Sequence, residues 1–166
     1  MRNVNRHFWL GCFFSILLVA LPGVRCLEVN AFAAPRPQIE TMADAELNQI
    51  ITNGSGKYVL FFTAAWCGFC KEMLPTLNRL YHRFNDQGLR FIGISIDAGG
   101  PAAMARVLEK KHVDFALYWV GETVIDQFNL VGIPMIFLVK SGRIVEKIPG
   151  KCSYEFLEGK LRDFIQ

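Results

Sequence analysis

Cys67 and Cys70 sit three positions apart in FFTAAWCGFCKEMLP, residues 61–75, and are the side chains of this sequence best suited to chemistry. A CxxC pair can clip a metal, form a structural bridge, or act as a reactive dithiol. A structural zinc site needs a full tetrahedral set of ligands, and neither a second CxxC nor a well-spaced histidine pair accompanies the first. Covalent haem attachment requires His directly after the second cysteine, where this chain has Lys71. A structural disulfide in a non-catalytic binding module and a reactive pair remain, and the flanking residues favour the second.

Upstream, YVLFFT at 58–63 is a short, continuous apolar run rich in β formers, the pattern of a strand buried on both faces. Downstream, Met73, Leu74, Leu77, Leu80, Tyr81 and Phe84 recur at helical spacing until Gly88 closes the segment. The pair therefore falls at a strand-to-helix junction. Unpaired N–H groups and the positive end of the helix dipole favour a thiolate there, which makes Cys67 the candidate nucleophile. A free thiol with a pKa near 8.5 is about 3% ionised at pH 7, and a shift to about 7 would make it about half ionised. Cys70, one turn inside the helix, is placed to resolve a mixed disulfide. Pro75 lies within the helical pattern and should kink it.

A second feature lies far along the chain. LVGIPMIFLV, residues 130–139, sets Pro134 immediately before an apolar strand. A proline at such a point is able to adopt the cis form, exposing the carbonyl before it and removing an N–H. The alternative is an ordinary trans proline at a strand start.

The N-terminus bears on which redox chemistry is reasonable. Arg2 and Arg6 precede FWLGCFFSILLVAL, residues 8–21, a basic region followed by an apolar stretch of secretory-signal length and short of the roughly 20 residues that span a bilayer. Small residues suit cleavage after Ala31 or after Ala33, and an uncleaved N-terminal anchor is the alternative. A lipoprotein reading through Cys26 is weaker, since Arg25 stands where a small residue is needed. The expected organisation is a signal peptide or membrane anchor over 1–33, a linker over 34–39 (APRPQ and Ile39), and one domain over 40–166. Of five cysteines, Cys12 and Cys26 fall in the targeting segment, so Cys67, Cys70 and Cys152 remain for an oxidising compartment.

Without its first 33 residues the chain loses Arg2, Arg6, Arg25 and Glu28, and its formal charge falls from +3 to +1. No basic stripe interleaved with aromatics is present, which argues against a nucleic-acid partner, and Lys110-Lys111-His112 reads as a solvated helix end. Phe61, Phe62, Phe91, Ile92, Phe137 and Leu138 read as sheet core, and Phe156, Leu157, Leu161, Phe164 and Ile165 as the buried face of a final helix.

Taken together, WCGFCK, the internal Pro75, GIP at 132–134, the hairpin MIFLVKSGRIVEKIPG and the final amphipathic segment resemble the thioredoxin superfamily over nearly all of residues 40–166. The leader, and the length between RFIGISID and Pro134 that holds PAAMARVLEKKH, FALYWV and ETVIDQFN, resemble the exported TlpA/ResA-like branch. The resemblance implies an α/β thioredoxin fold, with a central mixed sheet of about five strands, helices on both faces and a TlpA/ResA-like insertion. It implies Cys67 as attacking thiol, Cys70 as resolving thiol, Trp66, Gly68 and Phe69 as flanking residues that meet the partner, and Ile133 and Pro134 as the edge that orients the partner's backbone. It implies no cofactor beyond a redox-active Cys67–Cys70 disulfide. The partners it implies are protein disulfides, such as those of apocytochrome c or copper-site cysteines, and a membrane thiol carrier as electron donor. Membrane association is expected only through the N-terminal segment.

One position departs from the pattern. Thioredoxins keep a buried Asp six residues before the first cysteine, and Phe61 stands there in this chain. Glu122 and Asp126 of the insertion are candidate replacements, although each reads first as a surface charge, and bulk water is an alternative proton route. Gly68-Phe69 between the cysteines resembles in type the pairs of disulfide isomerases and oxidants, which keeps an oxidase or isomerase as the second reading. A peroxidase would need a Pro-rich, Thr-containing loop ahead of its cysteine, and this chain has none there. Cys152 is read first as a semi-buried cysteine at the start of the last helix with no role of its own; the alternative places it at the rim of the partner surface, where a third thiol could form a mixed disulfide or an off-pathway bridge.

Overall fold

A computed structural model describes residues 39–166; the expected leader, all but the last residue of the expected linker, Cys12 and Cys26 lie outside the described residues. The elements run β1 (Glu40–Thr41), α1 (Asp44–Asn53), β2 (Lys57–Thr63), α2 (Gly68–Phe84), a 3₁₀ turn (Asn85–Gln87), β3 (Leu89–Ser95), α3 (Ala102–Leu108), β4 (Ala116–Trp119), α4 (Thr123–Gln127), β5 (Met135–Lys140), β6 (Arg143–Pro149) and α5 (Tyr154–Ile165).

The strands form one six-stranded sheet in the order β1-β4-β3-β2-β5-β6. The first four positions are parallel, while β5 and β6 run antiparallel to their neighbours. This is the mixed sheet expected from sequence with one strand added. The addition is β1, a two-residue edge piece, Glu40–Thr41, whose existence depends on Tyr118 and Trp119 across the sheet rather than on its own composition.

β2 is the centre of this arrangement. Its seven residues pair with β3 on one side, and Lys57–Phe62 pair with β5 on the other. Tyr58 to Thr63 are buried without alternation, because both faces of the strand are covered. Phe62 packs 4.8 Å, centroid to centroid, from Phe137 of β5, and both face Phe128 at 6.3 Å. Burying each such aromatic side chain contributes roughly 1.5–3 kcal/mol. Met73, Leu74, Leu77, Leu80 and Phe84 give α2 its buried face, and Pro75 sits inside the helix as the sequence indicates.

The β5–β6 hairpin turns through Ser141 and Gly142, both at positive φ (50° and 70°), the backbone that a two-residue loop needs to match strand twist. Gly142 is required twice over, since a Cβ there would lie 2.4 Å from the Thr52 carbonyl oxygen. Ser153 caps α5 by accepting the Phe156 N–H at 3.2 Å. Leu157, Leu161 and Phe164 are buried as their spacing requires, but Phe156 is 48% exposed. Its position in the first turn of α5 turns its ring outward, with the Lys160 ammonium 5.9 Å from its centroid.

The segment after α3 is tied down by a polar knot. Asp114 accepts from the Asn78 amide at 2.9 Å, and its carboxylate lies 2.7 Å from His82 Nε2 and 2.8 Å from His112 Nε2; its own N–H donates to Asn78 Oδ1 at 2.7 Å. Asn78 and His82 belong to α2, so the knot fixes the insertion against that helix. The Asn78 hydrogen bond, followed by His82, pulls the Asp114 carboxyl down to about 2 from its ordinary 3.8. A carboxyl depressed on folding stabilises the native state above its unfolded value and loses that contribution as pH falls through the folded one. Asp114→Asn is therefore expected to lower the thermal midpoint by a few degrees at most near pH 5, because the knot is exposed. The gap between variant and parent should close as pH drops from about 4 to about 2. Parallel thermal melts across that range measure it, and a constant gap contradicts the assignment.

Candidate active site

The parallel strands β2, β3 and β4 all end on one side of the sheet, and antiparallel β5 starts there. Ligand-facing chemistry in such sheets collects at the carboxyl ends of the strands. β2 leaves its last residue, Thr63, and passes through Ala64–Trp66 into Cys67, the N-cap of α2. At φ −80° and ψ 107° Cys67 is still extended, and its N–H donates to the Ala64 carbonyl at 3.0 Å. The Cys70 N–H donates to Cys67 Sγ at 3.1 Å. A sulfur thus fills the capping role usually taken by a Ser or Asp oxygen, on one of the orphan N–H groups of the first turn.

Cys67 and Cys70 are joined by a disulfide, with sulfurs 2.05 Å and Cα atoms 5.3 Å apart. Access to the two sulfurs is unequal. Cys67 keeps 7% exposure while Cys70 is fully buried, so an incoming thiol or disulfide meets Cys67. Gly68 begins α2 with open space around its Cα, whereas Trp66 and Phe69 stand 69% and 62% exposed on either side of the nucleophile.

Met135 pairs with Phe62, which puts Ile133 and Pro134 beside the end of β2. The Ile133–Pro134 peptide is cis. Pro134 is buried and its carbonyl accepts the Gly150 N–H at 2.8 Å, leaving half-buried Ile133 and exposed Val131 on the open side. The next residue, Lys151, forms an ion pair with Glu72 of α2 and lies 5.8 Å from the Phe69 ring centroid. Hydrogen bonding from Lys151 and its charge hold the Glu72 carboxyl below the usual range, with a smaller push from Lys111. The structure thus gathers Trp66, Cys67, Gly68, Phe69, Cys70, Ile133 and Pro134 at one end of the sheet. It leaves Glu122 and Asp126 exposed on and beside α4, without a hydrogen bond to the dithiol.

Phe61 is buried in the strand where thioredoxins carry an acid. A different acid, which sequence reasoning passed over, is buried here. Asp97 follows β3 and is 3% exposed, the one buried charged side chain among the described residues. Its two carboxylate oxygens accept the Ala65 N–H at 3.0 and 3.1 Å, and one of them accepts the Ser95 hydroxyl at 2.7 Å. Its carbonyl accepts the Trp119 indole N–H at 2.7 Å. Asp97 therefore links β3 and β4 to the loop that delivers Cys67, two residues beyond Ala65. The one available signal was an acid directly after the apolar run FIGISI.

Cys152 is half-buried, its Sγ 3.5 Å from the Gly150 carbonyl, and burial pushes its thiol pKa up. Among the described residues no group of three or more His, Cys, Asp or Glu side chains converges as a metal site.

With this geometry, the comparisons with known proteins fall into place. A profile of the AhpC/TSA family matches residues 28–148. The thiol-disulfide oxidoreductase ResA of Bacillus cereus is 26% identical over 160 residues, 89% of this chain and 91% of that protein. A thioredoxin of Alicyclobacillus acidocaldarius is 29% identical over 126 residues, 76% of this chain and 97% of that one. Among solved structures, a thiol:disulfide interchange protein DsbE from Chlorobium tepidum superposes with a TM-score of 0.66 at 18% identity, covering 79% of this chain and 95% of that one. A secreted disulfide oxidoreductase of Mycobacterium tuberculosis gives 0.59 at 19% identity over 68% and 84%. These two structural likenesses speak for the fold.

Truncating Asp97 to Ala leaves the Ala65 N–H and Ser95 hydroxyl without their partner and should cost about 2–4 kcal/mol in urea unfolding of the oxidised protein. Asp97→Asn keeps one acceptor oxygen and should recover about half of that loss. Equal stability of all three proteins would remove Asp97 from the account.

Proposed function

This chain belongs to the AhpC/TSA family, within the thioredoxin superfamily, and on that footing we propose that it is an exported thiol-disulfide oxidoreductase that reduces disulfides of partner proteins. The observation that carries the reading is the unequal pair at the start of α2: a reachable Cys67 whose Sγ accepts the Cys70 N–H, and a buried Cys70.

In the reduced enzyme the same N–H, with the positive end of the 17-residue helix, stabilises a Cys67 thiolate. That thiolate attacks one sulfur of the partner disulfide; a Cys67–partner S–S bond forms, the partner's own S–S bond breaks, and the leaving thiolate takes a proton. Cys70 then gives up its proton and attacks Cys67 Sγ, forming the intramolecular disulfide and releasing the second partner thiol. The partner gains two electrons and two protons, and the enzyme ends in the Cys67–Cys70 disulfide. Trp66, Phe69 and Ile133 supply apolar contact for the partner, and the backbone at Ile133–Pro134 offers its edge for pairing. A membrane dithiol carrier would return the enzyme to its reduced form.

Export is supported by the basic region and apolar stretch at the N-terminus. Among the described residues no helix is long and apolar enough to cross a membrane. Service in cytochrome c maturation is the narrower form of the proposal, resting on the resemblance to the TlpA/ResA-like branch. The second reading, an oxidase or isomerase, is favoured by Phe69 between the cysteines.

Cys67→Ser is expected to abolish reduction of a protein disulfide. Cys70→Ser should attack once and accumulate the mixed disulfide, and Cys152→Ser should turn over like the parent. The Cys67→Ser and Cys70→Ser proteins should remain folded, whereas a purely structural bridge would make them unfold. Equilibration of the Cys152→Ser protein with dithiothreitol or glutathione fixes the direction. A potential near about −270 mV supports the reductase, and one between about −120 and −180 mV replaces it by the oxidase or isomerase.

A further inference from the structure

A cleft of about 470 Å³ opens beside the dithiol, between the first turns of α2 and helix α3 of the insertion. Ala65 and Ala103 give it small walls, and Lys71, Arg106, Lys110 and Lys111 line it. Lys71 directly follows the resolving cysteine, whereas Arg106, Lys110 and Lys111 come from α3 and the turn after it. No carboxylate lines the cleft. Among the described residues none of the four cations takes part in an ion pair. The two nearest acids in sequence stand outside the lining: Glu72 is ion-paired with Lys151 and feels only a weaker pull from Lys111, and Glu109 ends α3 exposed to solvent. A domain whose basic and acidic residues balance over 40–166 thus concentrates four cations without ion-pair partners around one opening.

We infer that this cleft binds an acidic segment flanking the target disulfide of the partner protein. The inference rests on the exchange reading of Cys67 and Cys70. Position argues for a peptide. Ala65 lies two residues before Cys67 and Lys71 directly follows Cys70, so a chain whose cysteine reaches Cys67 brings its neighbouring residues within reach of the cations that line the cleft. The openness of the cleft and the separate origins of its charges suit several carboxylates along a strand better than one compact anion, for which no buried donor is provided. Unpaired charges of one sign beside a reaction centre raise encounter rates with partners of the opposite sign and reject like-charged ones.

The test uses two disulfide-linked peptides, identical except that the three residues after the cysteine are Glu in one and Gln in the other. The enzyme is the reduced Cys152→Ser protein, alone or with Arg106→Gln and Lys110→Gln, or with Arg106→Glu and Lys110→Glu. At low salt the parent should show a kcat/KM about tenfold higher for the acidic peptide, and about 0.5 M salt should remove most of that preference. The Gln pair should bring the ratio to about threefold or less, and the Glu pair should abolish or invert it. Reduction of hydroxyethyl disulfide, which is neutral and small, should be unchanged in both variants. Equal rates for the two peptides, or a preference that survives charge reversal, overturn the inference. So does glutathione disulfide being favoured as strongly as the acidic peptide, since that makes the cleft a small-anion site. Failure of the parent to reduce hydroxyethyl disulfide would instead overturn the exchange reading, and the cleft's role with it.

Discussion

The hydrogen bond from the Cys70 N–H to Cys67 Sγ is the interaction around which the rest of the structure is arranged. It needs a helix to begin at Gly68, so that the Cys70 N–H is unpaired, and a strand to end just before, so that Cys67 is still extended at the cap. β2 satisfies the second demand. Held between β3 and β5 and buried on both faces, it cannot slide by one residue without turning Phe61 and Phe62 to the wrong sides. A long buried core therefore fixes the position of one sulfur, and burial of Cys70 makes the two thiols unequal.

Delivering Cys67 also requires a defined path for Ala64–Trp66, and this chain supplies it with a buried acid away from β2. Asp97 gathers the Ala65 N–H and the Ser95 hydroxyl, and its carbonyl holds Trp119 at the end of β4. Burying a carboxylate is unfavourable unless donors replace water, and here the donors come from the loop that must be held. With Phe61 in the strand, the acid in this region braces the loop from β3. Around Cys67 the surface exposes Trp66 and Phe69, and a cationic opening lies between α2 and α3.

How much of this was legible in the sequence follows from how local each feature is. The β2–α2 junction was readable because an unbroken apolar run gives way to a 3.6-residue pattern within a few positions, with CxxC at the change. Pro134 and the Ser141-Gly142 turn were readable for the same reason: proline and glycine restrict or free the backbone wherever they stand. β1 was not, since two residues carry no period and its partners lie almost eighty positions away. Asp97 was passed over because an acid after a strand ordinarily meets solvent, and its donor at Ala65 is 32 residues upstream. Lys110 and Lys111 are exposed, as a helix-end reading requires, yet only the fold brings them across from Lys71. Phe156 obeyed the helical spacing and still faces out, because α5 meets the core along the narrower stripe of Leu157, Leu161 and Phe164.

The central claim is that the cap at α2 makes Cys67 a thiolate at neutral pH while Cys70 stays protonated. The most direct measurement is the rate of iodoacetamide alkylation of the reduced Cys152→Ser protein against pH, with the modified residue identified by peptide mass. Cys67 is expected to react first and to ionise below the roughly 8.5 of a free cysteine. A Cys67 that titrates at about 8.5 or above, or alkylation that begins at Cys70, would contradict it.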